Sequence, residues 1–259
     1  MAGRGTWMPR LFLSVDMVGS TESKARFTGT SLRRTPLLAL AAVCALAAVP
    51  ASAQESAPDI SFNVGAASDY VFRGVSNTDE NPQVFGGADL TAGLFYAGVW
   101  ASNVDFDDGT DAEIDIYAGV TPTLGAVSLD FGALYYAYVD APSGADADYL
   151  ELQAKASVPA GPAILGAGFY YAPNSYGHVD HSMYYEVNGA YAVNYKMSFS
   201  AALGRQAFDG PGDYTIWNVG AGYVLAENLG VDLRYHDTDR HSLGDVYGSR
   251  VVLSLEVTF

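Results

Sequence analysis

The sequence predicts an all-β protein: a single antiparallel transmembrane β-barrel of about twelve strands, after an N-terminal signal peptide. Three observations predict this fold. Apolar and polar residues alternate with a period of two in successive segments, long and short connections alternate between those segments, and the last segment ends on Phe259. A strand places alternate side chains on opposite faces, whereas a helix would spread them around its axis.

The first 53 residues have the pattern of an export signal behind an N-terminal extension. Two adjacent arginines precede an apolar run over residues 37–49, and the small residues of Ala51–Ala53 form a cleavage site. We therefore expect residues 1–53 to be removed and residues 54–259 to form one domain, the barrel. That part of the chain has 206 residues with 7 basic and 27 acidic side chains, a net charge of −20.

The composition excludes several classes of protein. Charged residues make up only 16% of the chain, and acidic residues outnumber basic ones by 29 to 13. A nucleic-acid binder needs basic surface to neutralise phosphates, so nucleic acid is not an expected partner. No segment after residue 50 approaches the roughly 20 apolar residues of a membrane helix, so only strands could cross a membrane.

Period-two alternation is clearest at residues 112–121, where Ala, Ile and Val occupy one face and Glu113 and Asp115 lie on the other. Residues 149–158 and 250–259 repeat the pattern. Twelve such segments are predicted: 60–75, 83–93, 95–105, 112–121, 126–139, 149–158, 163–172, 182–193, 196–205, 214–225, 229–236 and 248–259.

The connections between these segments alternate in length. Those near 76–82, 105–111, 140–148, 173–181, 206–213 and 237–247 are longer and polar, and those between them are short. Long loops outside and tight turns in the periplasm are typical of an outer-membrane barrel, whereas a soluble sandwich has no need for two different ends. The predicted location is therefore the outer membrane of a Gram-negative bacterium.

Aromatic residues support a membrane location. A terminal phenylalanine after alternating apolar residues matches the signal recognised by the outer-membrane barrel assembly machinery, which makes Phe259 a predicted assembly signal. Tyrosines near strand ends are expected to form interfacial girdles: Tyr70, Tyr96, Tyr135, Tyr171, Tyr185, Tyr191, Tyr223 and Tyr235.

Four motifs in the first half of the predicted mature chain carry a family resemblance. Residues 68–76 (SDYVFRGVS) resemble the opening signature of the TorF family of porins, and residues 95–106 are similar to its second signature. The pattern ExDxYxG at 113–119 and the tyrosine-rich segment 132–138 continue it in order. The resemblance implies an outer-membrane barrel that conducts small solutes and contains no catalytic residues.

Charged residues on the polar strand faces are candidate pore-lining groups. They are Asp69, Arg73, Asp89, Glu113, Asp115, Asp130, Glu151, Lys155, Glu186, Asp232, Arg234, Arg250 and Glu256. An excess of carboxylates predicts a preference for cations if the lumen is open. Alternatively, Arg73 with Asp69 and Arg234 with Asp232 could pair and help to plug a narrow barrel.

Fifteen further acidic residues fall in the six long connections. They predict an acidic vestibule that concentrates cations by its electrostatic field. Divalent cations could also bridge these loops to one another or to lipopolysaccharide, which together with membrane lipid is an expected partner. Solubility of exposed loops would explain the same acidity.

Two other functions remain open from the sequence. A closed barrel could be a structural or adhesive surface protein, and some outer-membrane barrels are hydrolases. The four histidines, His178, His181, His236 and His241, provide no adjacent serine on the same strand face for a nucleophile and base. No metal-binding motif stands out and no cofactor is implied.

Overall fold

Each of twelve strands pairs in antiparallel order with its neighbours along the chain, and the last strand pairs with the first. In the computed structural model, which describes residues 58–259, this pairing closes the sheet into a barrel. The predicted fold class is therefore confirmed. The predicted signal peptide lies outside the described residues.

The barrel strands, numbered in chain order, have the following bounds: β1 (Asp59–Ala67), β2 (Gln83–Ala92), β3 (Phe95–Asn103), β4 (Ala112–Val120), β5 (Val127–Val139), β6 (Tyr149–Ala160), β7 (Ala163–Ala172), β8 (Ser182–Ala192), β9 (Met197–Phe208), β10 (Tyr214–Ala226), β11 (Leu229–Thr238) and β12 (Arg250–Thr258). Within residues 58–259 the only helical segments are three 3-10 turns, Tyr176–His178, His241–Leu243 and Asp245–Tyr247. No helix in this range is long and apolar enough to span a membrane.

The two ends of the barrel differ as predicted. The connections at one end, the loop end, are residues 68–82, 104–111, 140–148, 173–181, 209–213 and 239–249. Those at the other end, the turn end, are residues 93–94, 121–126, 161–162, 193–196 and 227–228. The 121–126 turn includes the two-residue strand Thr123–Leu124, which pairs with the start of β5.

Apolar side chains cover the outside of the barrel, and polar ones face the lumen. On β4, Ile114 and Ile116 are 38% and 54% exposed, whereas Glu113 and Asp115 are fully buried. A soluble protein has the opposite arrangement. In a bilayer, however, a closed barrel satisfies every strand hydrogen bond internally and presents apolar side chains to lipid.

The predicted first strand, 60–75, is wrong in its second half. β1 ends at Ala67, and residues 68–82 turn back into the lumen as a segment we call the inner loop. Its short strands Val71–Phe72 and Val75–Ser76 pair as a small hairpin. The sequence of this segment continues the alternation of β1, with Tyr70 and Phe72 at apolar positions and Asp69 and Arg73 at polar ones, and therefore resembles a wall strand.

The predicted tyrosine girdle also needs correction at two positions. Tyr185, Tyr191 and Tyr223 lie on the outer surface and are 44–50% exposed. Tyr70 belongs to the inner loop and Tyr96 faces the lumen, where its hydroxyl donates to Asp130 at 2.8 Å. Alternate residues of a strand point to opposite faces, so the position of a tyrosine in that alternation, rather than its closeness to a strand end, decides which side it faces.

Replacing Val219 with lysine tests the outward face. Val219 lies midway along β10 and is 53% exposed. A lysine there should destabilise the barrel in lipid vesicles by about 2–4 kcal/mol, because its charge would be placed in hydrocarbon. Denaturant unfolding in vesicles measures the change. The control is Ser61→Lys. Ser61 faces the lumen in register with Asp89, so a lysine there should change the free energy of unfolding little. An equal loss of stability in both variants would contradict the assignment of faces.

Candidate functional site

The lumen is the candidate functional site, and all thirteen predicted pore-lining residues face it. Eleven of them are on the barrel strands, whereas Asp69 and Arg73 reach the lumen from the inner loop. The lumen has two parts. The half near the loop end is filled by the inner loop and buried aromatic side chains, and the half near the turn end contains polar side chains that are partly exposed.

The tip of the inner loop is a tight turn at Arg73 and Gly74, whose φ angles are 43° and 84°. Positive φ at both central residues of a two-residue hairpin is the requirement of a type I′ turn. A Cβ at position 74 would approach Thr238 and Ile216 within 2.9 Å, so only glycine fits against β10 and β11. Arginine at positive φ costs about 1 kcal/mol or more and needs compensating contacts.

The guanidinium of Arg73 supplies those contacts. Its Nη2 and Nη1 donate to the two carboxylate oxygens of Glu151 at 2.8 and 3.0 Å, and Nη1 also donates to Gln206 Oε1 at 3.3 Å. The Cζ atom lies 4.3 and 4.8 Å from the ring centroids of Tyr184 and Tyr170. A two-point ion pair combined with aromatic faces is a geometry that arginine favours and lysine does not reproduce.

A second ion pair holds the base of the inner loop. Arg250 on β12 donates to Asp69 Oδ2 at 2.9 Å, while Ser76 and Thr78 donate to Asp69 Oδ1 at 2.6 and 2.9 Å. The Arg250 side chain also lies 3.3 Å from Glu80. Asp69 therefore closes the inner loop on itself and ties it to the barrel wall. The Arg73–Asp69 pairing considered from the sequence is wrong, since each residue has another partner.

In the half near the turn end, the remaining two lumen bases also form ion pairs. Lys155 Nζ is 2.9 Å from Asp130 Oδ2, and Arg234 Nε is 3.1 Å from Asp232 Oδ1. The side chains of Lys155 and Asp130 are 35% and 22% exposed, so solvent reaches this part of the lumen. The pairing of Arg234 with Asp232 is the one anticipated by their spacing.

The lumen keeps an excess of negative charge after this pairing. Each of its four bases is paired with one lumen carboxylate, and Arg250 also contacts Glu80 of the inner loop. Within residues 58–259, no ion pair with a base is formed by the other lumen carboxylates, which are Asp89, Glu113, Asp115, Glu186 and Glu256. Some of these accept hydrogen bonds from tyrosine hydroxyls, as Asp89 does from Tyr117 and Glu113 from Tyr70, both at 2.7 Å.

Several residues of the lumen were not singled out by sequence. Gln206 contacts Arg73 directly, and Tyr136, Tyr149 and Tyr184 pack around the inner loop. All four lie on the lumen side of their strands. Their positions in the alternating strand pattern are the sequence signal that assigns them to the lumen, since they carry no charge.

Histidine–carboxylate contacts occur near the loop end. His241 Nε2 lies 2.6 Å from Asp237 Oδ1, while Asp237 Oδ2 accepts from the Tyr235 hydroxyl at 2.8 Å. His181 lies 3.7 Å from Asp209. In residues 58–259 no group of three or more His, Cys, Asp or Glu side chains is arranged to hold a metal ion. At the other end of the barrel, Phe259 exchanges backbone hydrogen bonds with Phe62 of β1 at 2.9 and 3.2 Å.

Comparison with known proteins finds one family model and several solved porin structures with a similar barrel fold. The family model described as "Bacterial protein of unknown function (Gcw_chp)" matches residues 51–259. No curated protein matches the chain. The structure of the KdgM porin is similar with a TM-score of 0.55, 9% identity, and coverage of 77% of this chain and 99% of that one. The NanC porin has a TM-score of 0.50 and 10% identity, and the match covers 77% of this chain and 98% of that one. At such low identities the likeness concerns the fold alone.

Two of the long loops are joined by a hydrogen bond to a carboxylate. Tyr176 in the 173–181 loop donates to Asp108 Oδ2 at 2.8 Å, and the Thr110 amide donates to Asp108 Oδ1 at 2.9 Å. Burial acts to raise the pKa of Asp108, but the hydrogen bonds from Thr110 and Tyr176 outweigh it, so the pKa is lowered.

This link should depend on pH. Because the pKa of Asp108 is lower in the folded protein, its stabilisation is complete above the ordinary carboxyl value of 3.8 and is lost as pH falls through the lowered pKa. Hydrogen exchange of residues 104–111 should therefore accelerate, relative to intrinsic rates, in strong acid. In Tyr176→Phe the exchange should already be faster at neutral pH. Equal protection of the two proteins at neutral pH would contradict the link.

Proposed function

The chain belongs to the Gcw_chp family, and we propose that it is a porin-like channel of a Gram-negative outer membrane that passes small solutes by passive diffusion and prefers cations. The observation that carries this proposal is the contrast between an apolar exterior and a charged, partly hydrated lumen. A barrel that only anchored surface loops would gain nothing from five lumen carboxylates without a basic partner, since burying them is costly.

The direction of selectivity follows from charge. The four lumen bases are neutralised by ion pairs, so the field along the lumen is dominated by the remaining carboxylates. A negatively charged passage with low-dielectric walls raises the local concentration of cations and excludes anions. Acidic loops at the entrance would add to this effect.

The motifs that resemble the TorF family support the same function. The first of them, residues 68–76, coincides with the hairpin of the inner loop, and ExDxYxG at 113–119 provides Glu113 and Asp115. In this proposal the partners are outer-membrane lipid, lipopolysaccharide at the loop end, and the assembly machinery that recognises the strand ending at Phe259. The solutes are small cations rather than macromolecules, and no catalytic step is involved.

A closed structural barrel is the second candidate. The observation that favours it is the packing of the inner loop, whose Phe72, Val75 and Arg73 side chains are at most 3% exposed. Such packing narrows the lumen near the loop end. In the channel proposal, this loop sets the size of the passage rather than abolishing it.

Planar-bilayer recording of the refolded protein tests the channel and its selectivity. We expect discrete conductance steps and, in a KCl gradient, a reversal potential that indicates K⁺ permeation over Cl⁻. Asp89→Asn combined with Glu256→Gln should reduce the preference, because both carboxylates lie in the lumen without a basic partner.

The matched control is Glu227→Gln, which removes one carboxylate from the exposed 227–228 turn and should leave the reversal potential unchanged. Absence of any conductance step would favour the closed barrel. A preference for chloride would refute the electrostatic argument.

The role of the inner loop predicts a conductance change in Arg73→Ala. This substitution removes the ion pair to Glu151 and the contacts to the surrounding rings, and it leaves a buried carboxylate without its partner. The loop should then leave the lumen more often, so single-channel conductance should rise or become noisy with open and closed levels.

The control for this prediction is Arg205→Ala. Arg205 contacts Thr215 at 3.1 Å and Asp213 at 3.3 Å at the loop end but does not contact the inner loop, so its loss should leave conductance unchanged. Identical recordings for Arg73→Ala and the unmodified protein would show that the inner loop does not limit the passage.

A further inference from the structure

We propose that Glu113 and Asp115 form a binding site for a divalent cation, best suited to Ca²⁺, in the lumen beneath the inner loop. The two residues are separated by one position on β4, and both side chains point into the lumen. Residues spaced this way lie about 7 Å apart along a strand. Their carboxylates can therefore reach a common ion at ~2.4 Å from each oxygen.

The environment of the Asp115 carboxylate is the observation that points to a bound cation. Its side chain is fully buried, and neither carboxylate oxygen has a hydrogen-bond partner. Glu113 is better satisfied, because its Oε1 accepts from Tyr70 at 2.7 Å and the Tyr138 hydroxyl lies beside the same carboxylate. A buried anion without a partner is strongly disfavoured, so a positively charged occupant would resolve an otherwise costly arrangement.

A second and independent feature points to the same place. The hydroxyl of Tyr149 on β6 is without a partner, the side chain is 98% buried, and its hydroxyl lies within electrostatic range of both Glu113 and Asp115. Neighbouring β5 places Tyr136 opposite Asp115 and Tyr138 opposite Glu113. Of these two hydroxyls, that of Tyr138 lies beside Glu113, whereas that of Tyr136 donates to Glu151 at 3.4 Å.

The bases nearby do not compensate the pair. Arg73 is engaged by Glu151 and Gln206, and Arg250 by Asp69 and Glu80. Two carboxylates match the charge of one divalent cation. An all-oxygen set with irregular geometry suits Ca²⁺, which accepts variable coordination and completes it with water, better than Mg²⁺, which requires a near-ideal octahedron.

Such a site would be a cation-binding site along the permeation path through the barrel. In that respect the inference rests on the proposed function, since an ion bound beneath the inner loop would lie where permeating cations pass. It would also stabilise the inner loop, because Tyr70 links that loop to Glu113.

Terbium luminescence tests the site directly in the refolded barrel in detergent micelles. Tb³⁺ replaces Ca²⁺ at oxygen sites, and its emission is excited by energy transfer from nearby tyrosine and tryptophan rings, here Tyr149 and Trp100, which is in register with Asp115. We expect sensitised emission that added Ca²⁺ displaces. In Asp115→Asn the Tb³⁺ concentration for half-maximal emission should rise about tenfold or more, since even loss of a residue behind the ligands commonly has that effect.

Two comparisons separate this site from acidic loops and from misfolding. Glu186→Gln removes another lumen carboxylate, one that already accepts from Tyr184 at 2.9 Å and Asn188 at 2.6 Å, and should leave the emission unchanged. Ca²⁺ should raise the unfolding temperature of the unmodified barrel, as followed by its heat-dependent gel migration, but not that of Asp115→Asn.

The results that would overturn the site are specific. Emission that is identical in the unmodified protein, Glu113→Gln and Asp115→Asn would place the bound Tb³⁺ elsewhere. Absence of Ca²⁺-displaceable emission in the unmodified protein would mean that the two carboxylates hold protons instead of a metal ion. A barrel that shows this emission but passes no current would contradict the proposed channel and leave the cation site supported.

Discussion

The structure depends on one constraint: a β-sheet in hydrocarbon cannot leave backbone donors and acceptors unpaired. The pairing of β1 with β12, from Asn63 opposite Thr258 to Ala67 opposite Ser254, removes the last open edge. Once the sheet is closed, alternate side chains of each strand face the lipid outside and the lumen inside. Polar residues that would lie on the surface of a soluble protein are brought together in a narrow interior.

The narrow lumen explains why its charged side chains form so many ion pairs. Charges placed on facing walls of a narrow barrel lie close enough to interact strongly, and few waters are present to screen them. Lys155 and Asp130 are opposite one another on the adjacent strands β6 and β5, and Asp232 and Arg234 lie two positions apart on β11, so strand register and spacing set these two ion pairs while the enclosure strengthens them. The inner loop follows the same rule, because its buried arginine is stable only where a carboxylate is already directed toward it.

Much of the fold could be predicted from sequence because apolar and polar residues alternate regularly along a barrel strand. Period-two alternation identified the twelve strands and the lumen side of residues such as Glu113 and Glu186. It failed at residues 68–75, where a hairpin inside the barrel alternates just as a wall strand does. The Arg73-Gly74 step was the local signal of a turn, since Xaa-Gly at a two-residue hairpin favours type I′ geometry.

The partners of charged residues could not be predicted in the same way. Arg73 and Asp69 are four residues apart, but Arg73 binds Glu151 at the tip of the inner loop and Asp69 binds Arg250 at its base. Which strands face one another across a lumen depends on barrel diameter and stagger, which sequence spacing does not encode. Asp115 shows the same limit, because its lack of a partner is visible only when all neighbouring side chains are placed.

The reach of Arg73 has a consequence for assembly. Glu151 lies 78 residues and Gln206 lies 133 residues further along the chain, so one side chain joins the start of the barrel to the wall formed by β6 and β9. Contacts of such high sequence separation form late, because the intervening strands must first be in place. We therefore expect the inner loop to dock after β6 and β9 are in place, and its contacts then connect the start of the barrel to the opposite part of the chain.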